Sequence, residues 1–188
     1  MGRTLLRMTL ALCALVVARH AAAATSEFQI TPRAGIGELR INELVGVNDD
    51  LVDTDTMGIG VGFGVLTPIG VVLEAGADSF GDFDFFNALD SFSLTQQFVS
   101  VGYQLELGDG WRLVPRAGHA RWKLRSEEGL LFNSGPEQSR DARGYDYYWE
   151  LSVSRRVSRT VTLGLNYKQG NYEFGRTRAT AFLVTLGF

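Results

Sequence analysis

The feature that most constrains this chain is an alternation of apolar and small residues with a period of two. Between Thr56 and Val65, apolar side chains occupy the odd positions and glycines the even ones: Met57, Ile59, Val61, Phe63 and Val65 alternate with Gly58, Gly60, Gly62 and Gly64. Successive side chains of a β-strand point to opposite faces of the sheet. A period of two therefore predicts a strand with one apolar face.

The same alternation recurs along the chain. Five further stretches carry it regularly, at residues 71–78, 98–107, 145–154, 161–168 and 181–188, and two more, 28–41 and 111–124, carry it less regularly. We therefore predict eight strands. Pro32 and Pro115 lie within the two irregular stretches. Because proline cannot donate a hydrogen bond to a strand ladder, we expect a local irregularity at each.

The connections between the predicted strands alternate in length. Short, turn-forming sequences at 67–70, 108–110 and 158–159 alternate with longer linkers at 42–55, 80–90 and 125–143, and with a shorter linker around 170–176. Short turns on one side and long loops on the other are typical of bacterial outer-membrane barrels, in which the short turns face the periplasm.

The face opposite the apolar one distinguishes a membrane barrel from a soluble barrel such as a lipocalin. A soluble barrel buries its apolar face and carries many lysines and glutamates on the other. Here the second face consists mostly of Gly, Ser, Thr and Ala with isolated charges. Lipid offers the backbone no hydrogen-bond partner, so a spanning sheet must close on itself. We predict an all-β fold, an eight-stranded antiparallel up-and-down transmembrane β-barrel in the outer membrane of a Gram-negative bacterium.

Residues 1–24 have the pattern of a cleaved secretory signal peptide. Arg3 and Arg7 precede the apolar stretch Met8–Val17, and Ala21–Ala24 follow it. This order of charged, apolar and small residues is typical of export signals. We expect cleavage after Ala24 or Ala23, which leaves one barrel domain at 25–188.

Composition excludes several function classes. The sequence has 18 Lys and Arg against 21 Asp and Glu, so this acidic chain is not predicted to bind nucleic acid. Cys13 is the only cysteine and lies in the predicted signal peptide, so no disulfide is expected. The acidic linker that begins at residue 42 lacks the spacing of a calcium loop, and we expect neither a metal site nor a cofactor.

Five charged residues are predicted to point into the barrel, since they lie opposite the apolar face: Arg33, Glu74, Glu106, Arg116 and Glu150. An eight-stranded barrel is only wide enough for side chains to fill. Buried charges must be paired, because an unpaired one costs several kcal/mol. We predict an ion-pair network that plugs the lumen, and the alternative is a gated pore in which the charges exchange partners.

Three cationic residues, Arg121, Lys123 and Arg125, alternate near the predicted outer rim. Arginine and lysine form strong charge-assisted hydrogen bonds with phosphate. We predict that these three side chains contact the phosphates of lipopolysaccharide.

Four stretches stand out in the second half of the chain: Arg116–Trp122, Asp141–Glu150, Leu163–Phe174 and Leu186–Phe188. Together they resemble the second half of the OmpA-like transmembrane domain. The resemblance implies an eight-stranded barrel with a polar, plugged lumen and mobile outer loops. Since nothing follows Phe188, we expect no periplasmic peptidoglycan-binding domain, and the size is similar to that of the single-domain OmpX and OmpW barrels.

The same resemblance suggests how the chain is inserted. Its last predicted strand carries an outward apolar row that ends on an aromatic residue, formed by Phe182, Val184, Leu186 and Phe188. In outer-membrane barrels this pattern is what the barrel-assembly machinery recognises. We therefore expect that machinery to be a partner of this chain.

These observations lead to a non-enzymatic structural or surface-interaction role, with outer-membrane lipid, lipopolysaccharide and an extracellular ligand bound through the loops as partners. A narrow porin-like channel for ions or small solutes is the second hypothesis. A lipid A-modifying enzyme is the third. Hydrolysis needs a nucleophile beside a base. His119 is the only histidine outside the predicted signal peptide, and although Ser152 or Ser154 lies on a neighbouring predicted strand, no His-x-Ser pair is present. We expect no catalysis.

Overall fold

The computed structural model describes residues 26–41, 52–81, 91–127 and 139–188. The predicted signal peptide and most of the three longer linkers lie outside these residues. The described part forms nine antiparallel strand segments: β1 (Glu27–Ile41), β2 (Val52–Leu66), β3 (Val71–Gly81), β4 (Ser91–Tyr103), β5 (Leu105–Gly108), β6 (Trp111–Glu127), β7 (Ser139–Arg156), β8 (Val161–Tyr172) and β9 (Gly175–Gly187). None of the described residues forms a helix long and apolar enough to span a membrane.

The sheet closes into a barrel. Apart from β4 and β5, strands that follow each other along the chain are paired, and β1 also pairs with β9. β4 and β5 both pair with β6, so they are two parts of one barrel strand. The barrel therefore has eight strands, which confirms the predicted fold class. A closed sheet leaves no edge strand with unpaired backbone groups.

Each proline lies at an interruption of the ladder on one side of its strand, as predicted, while the ladder on the other side is continuous. The ladder between β1 and β9 stops at Arg33 and resumes at Ile30, so that Pro32 lies in the gap. β4 ends at Tyr103, β5 begins two residues later in the same register, and the interruption faces the segment that contains Pro115. In each case the missing N–H of proline removes a ladder hydrogen bond.

The two ends of the barrel differ. We call the end with the short connections at 67–70, 109–110 and 157–160 the turn end, and the opposite end the loop end. Gly108, Asp109 and Gly110 all have positive φ. Turns of this kind favour glycine and aspartate, since few other residues adopt that conformation readily.

The apolar face of the sheet is on the outside. Ile59 is 70 % exposed, Leu165 58 % and Phe182 50 %. The alternate positions are buried in the interior, and most of the buried residues near the middle of the strands are polar or charged. This inside-out arrangement is expected for a barrel whose solvent is lipid.

The barrel interior changes character along its axis. Towards the loop end it holds a cluster of apolar and aromatic side chains, formed by Leu39, Leu94, Phe98, Ala120, Trp122, Leu124, Tyr148, Tyr172 and Phe174. Charged residues follow in the middle of the strands, and small polar residues such as Thr31, Ser154 and Thr162 lie nearer the turn end.

Candidate functional site in the barrel interior

Six charged side chains meet in the middle of the barrel, and we call them the interior cluster: Arg33, Glu74, Asp78, Arg116, Glu150 and Lys168. They come from β1, β3, β6, β7 and β8, always from the inward face set by the alternation. Each of these side chains is at most 7 % exposed. Five strands are therefore joined by charges that have been removed from water.

Arg33 lies at the centre of the interior cluster. Its Nη2 forms an ion pair with Oε1 of Glu74, and its Nη1 donates to Oε2 of Glu150 at 3.2 Å. Its Nε lies 4.0 Å from Oδ1 of Asp78. The guanidinium carbon also lies 5.1 Å from the centre of the Phe98 ring, close enough for a cation–π contact.

Arg116 completes the coordination of Glu150. Its Nη1 donates to Oε1 of that carboxylate at 2.6 Å and to Oγ of Ser152 at 2.7 Å. Its Nη2 lies 3.8 Å from Oε2 of Glu74. The two oxygens of Glu150 therefore each accept from a different arginine.

Lys168 forms the second part of the interior cluster. Its Nζ donates to Oδ2 of Asp78 at 2.7 Å and to Oε1 of Gln96 at 2.9 Å. The ammonium lies 4.2 Å from the Tyr148 ring centre and 4.8 Å from that of Phe98. With Lys168 included, three cations face three carboxylates, so the cluster is neutral.

The glycines of β2 provide the space that the interior cluster needs. A Cβ atom at Gly62 would collide with Glu74 and Arg33, and one at Gly60 would collide with Asp78. The side chains that fill this room belong to the adjacent strands, β1 and β3.

The structure brings together four of the five charged residues predicted in the lumen, which are Arg33, Glu74, Arg116 and Glu150. Glu106 is the exception, and its placement in the network was wrong. It lies on β5 near the turn end with its side chain 56 % exposed, and it pairs with Arg112 at 3.1 Å. β5 continues the register of β4, and Glu106 is paired with the buried Arg112, so its inward parity is kept. It lies outside the network because β5 is at the turn end of the barrel.

Sequence reasoning missed two members of the interior cluster. Asp78 follows Glu74 by four positions on β3, and Lys168 follows Asn166 by two on β8, so both have the parity of inward residues. That parity was the signal that could have identified them. What it does not reveal is that residues on β3 and β8 meet, because these strands are not neighbours in the sheet.

The three cationic residues predicted at the outer rim lie on the outward face of β6 towards the loop end, and all three are exposed. Arg121 and Lys123 border a groove of about 560 Å³ together with Thr95, Gln97 and Arg143. We call it the basic groove. The guanidinium carbon of Arg121 lies 5.8 Å from the ring centre of Tyr145. Arg125 lies two residues beyond the groove on the same face.

The predicted assembly row lies on the outward face of β9. Phe182 is exposed, while Val184 and Leu186 are partly buried. Phe188 is exposed at the turn end, where its backbone N–H donates to the carbonyl of Phe28 at 2.9 Å.

His119 lies on the outside of the barrel. Its ring centre is 4.8 Å from that of Tyr147. Ser152 and Ser154 are buried in the interior, on the opposite face of the sheet. Among the described residues, no group of three or more His, Cys, Asp or Glu side chains could hold a metal ion.

Residues 9–188 match the protein family described as "Outer membrane protein beta-barrel domain". The chain belongs to this family. Its location is therefore the outer membrane of Gram-negative bacteria, where short turns face the periplasm and longer loops face outward. No match is found among curated protein sequences.

This chain shares its fold with solved structures of small outer-membrane barrels. Ail of Yersinia pestis, solved in complex with the heparin analogue sucrose octasulfate, is 11 % identical with a TM-score of 0.59, and the match covers 88 % of this chain and 100 % of Ail. Neisserial surface protein A is also 11 % identical with a TM-score of 0.59, and the match covers 88 % of this chain and 100 % of that protein. OprG of Pseudomonas aeruginosa is 10 % identical with a TM-score of 0.55, over 87 % of this chain and 94 % of OprG.

Proposed function

We propose that this outer-membrane barrel is a non-enzymatic protein with a structural or surface-interaction role, and that the interior cluster plugs its lumen. The observation that carries the proposal is the neutral set of six charges, each at most 7 % exposed, that joins five strands. Neutrality matters because an unpaired charge at this depth would be strongly destabilising.

The geometry supports a plug better than a narrow channel. A conducting path requires that the charges be hydrated or exchange partners as ions pass. Here Glu150 accepts from two arginines at 2.6 and 3.2 Å, and Lys168 donates to two partners at 2.7 and 2.9 Å. Opening the lumen would require several of these contacts to break together, each without compensation from water.

Planar-bilayer recording of the refolded protein tests this proposal. We expect no stable unitary current steps from the wild type. A double variant with Arg33→Ala and Glu150→Ala removes one charge of each sign and should conduct, while the matched control with Glu38→Ala and Arg178→Ala removes an exposed outer pair and should not. Regular steps from the wild type would favour the porin-like channel.

The absence of catalysis is part of the proposal. His119 lies on the opposite face of the sheet from Ser152 and Ser154, so these residues form no nucleophile–base pair of the kind that lipid A hydrolysis needs. Mass spectrometry of lipid A should show the same acyl chains from cells with and without the protein. A difference that His119→Ala abolishes would favour a lipid A-modifying enzyme.

We further propose that the basic groove and the nearby Arg125 contact lipopolysaccharide phosphates. The groove presents Arg121, Lys123 and Arg143 on the outward surface near the loop end. Several cations on one surface suit a polyanion. Ail, which shares the fold, was solved with the polyanionic heparin analogue sucrose octasulfate.

We also propose that an extracellular ligand binds through the longer loops. Residues 42–51, 82–90 and 128–138 of these loops lie outside the described part of the chain.

Lipid binding tests the basic groove. The double variant Arg121→Ala and Lys123→Ala should bind vesicles that contain phosphorylated lipid A more weakly, and it should bind dephosphorylated lipid A as the wild type does. The control, Arg155→Ala with Arg159→Ala, removes the same charge at the turn end and should have no effect. Equal weakening by both double variants would contradict a local phosphate site.

A further inference from the structure

The β8–β9 hairpin turns back into the barrel at the loop end. Its connection consists of Glu173 and Phe174 alone. A residue at the tip of a hairpin is normally solvated, yet Phe174 is only 3 % exposed. Its ring stacks on Tyr172 at 5.2 Å and contacts the edge of Trp122 at 4.6 Å. The three rings therefore form an aromatic layer inside the barrel mouth.

A carboxylate from a third strand holds this layer in place. Oδ2 of Asp146, on β7, accepts from Nε1 of Trp122 at 2.8 Å and from the backbone N–H of Glu173 at 3.1 Å. One side chain thus binds both a ring of the layer and the backbone of the turn. Charge-assisted hydrogen bonds of this kind are stronger than neutral ones.

The aromatic layer is also connected to the interior cluster. Nε2 of Gln96 donates to the hydroxyl of Tyr172 at 2.9 Å, while Oε1 of Gln96 accepts from Lys168 at 2.9 Å. The hairpin and the charged residues are therefore linked through a single amide.

We propose that the β8–β9 hairpin is a lid, latched by Asp146, that keeps outside water from the outer half of the lumen. The layer formed by Phe174, Tyr172 and Trp122 excludes water, and the interior cluster lies beneath it. This inference goes beyond the proposed plug. The two proposals have separate tests: ion conduction tests the plug, and the access of a water-soluble reagent to the outer half of the lumen tests the lid.

Thiol accessibility tests the lid. Ala120 is fully buried and lies on the inward face of β6 between Trp122 and Arg116. Because Cys13 is the only cysteine in the sequence, Ala120→Cys in a Cys13→Ser background places one reporter thiol beneath the lid. The measurement is the rate at which a small, water-soluble methanethiosulfonate reagent modifies this thiol in protein reconstituted in lipid vesicles.

With the lid intact, we expect the thiol to be protected. Phe174→Ala should raise the modification rate about a hundredfold, since truncation of a buried aromatic side chain greatly increases the open population. Asp146→Ala should raise the rate less, because the aromatic layer remains. Phe174→Leu, which keeps most of the apolar volume, should stay protected.

The control is Phe182→Ala, which removes the same side chain from the outward face. Heat-modifiability on a gel identifies the variants that retain the folded barrel, and only those are compared. The proposal is overturned if the thiol reacts as fast beneath the intact lid as in Phe174→Ala. It is also overturned if Phe182→Ala increases the rate as much as Phe174→Ala does, since the cause would then be general loosening.

Discussion

Glu150→Gln is the perturbation that most sharply tests how the interior cluster contributes to stability. The substitution keeps the size of the side chain and removes one negative charge from a neutral set of six. Arg33 and Arg116, which lie 3.2 and 2.6 Å from the two oxygens of Glu150, would then share the remaining carboxylates. The interior would carry an uncompensated positive charge.

The expected magnitude follows from burial. Removing one partner of a buried ion pair costs about 3–5 kcal/mol, because the other charge stays desolvated. The outer pair of Glu38 and Arg178 has a separation of 3.8 Å, with side chains 41 % and 46 % exposed. An exposed pair of this kind contributes about 0–1 kcal/mol. Glu38→Gln is therefore the matched control, since it makes the same chemical change on the outer face.

The assay is urea unfolding of protein refolded into lipid vesicles, monitored by tryptophan fluorescence. Adding Arg116→Gln to Glu150→Gln restores neutrality, so the double variant should lose less free energy of unfolding than the sum of the single variants. Residues in direct contact commonly show coupling of about 0.5–3 kcal/mol. If Glu150→Gln costs no more than Glu38→Gln, or if the two interior substitutions are additive, the cluster does not behave as a dehydrated ion-pair network.

Three further predictions concern other parts of the barrel. Gly60→Val should lower the urea midpoint markedly because its Cβ would collide with Asp78, and an unchanged midpoint would show that the interior has spare room. Glu106→Gln should cost less than about 1 kcal/mol of unfolding free energy, since its pair with Arg112 has one side chain more than half exposed. A cost of about 3 kcal/mol would place it in a buried network. Phe188→Ser should reduce the amount of folded protein in the outer membrane of cells without slowing refolding in vitro. Equal effects in cells and in vitro would contradict a role of Phe188 in recognition by the barrel-assembly machinery.

The strand pattern could be read from the sequence because each strand has one face in lipid and one inside. The period of two in residues such as Ile59 and Leu165 identifies the strands, and the backbone chemistry of proline predicts the interruptions near Pro32 and Pro115. The small and glycine-rich second face indicates which side points inward. These inferences depend only on local geometry.

The composition of the interior cluster could be predicted only in part. Parity says that a residue points inward, but its position along the barrel axis depends on the tilt and stagger of the strands. Glu106 therefore shared a predicted face with Glu74 although it lies near the turn end. In the same way, nothing local indicates that Lys168 would reach Asp78. The buried position of Phe174 was equally hidden, because a hairpin tip is normally exposed.

The central claim is that the apolar side chains face hydrocarbon while the alternate residues fill a closed interior. Nitroxide labels attached through single cysteines at Val99, Val101 and Leu165 test the outer face, and labels at Ser100 and Asn166 test the interior. In protein reconstituted in lipid vesicles, power-saturation measurements should show high access to oxygen and little to a water-soluble nickel complex at the first three positions, and low access to both at the other two. High access to the nickel complex at Val99, Val101 and Leu165 would contradict the account.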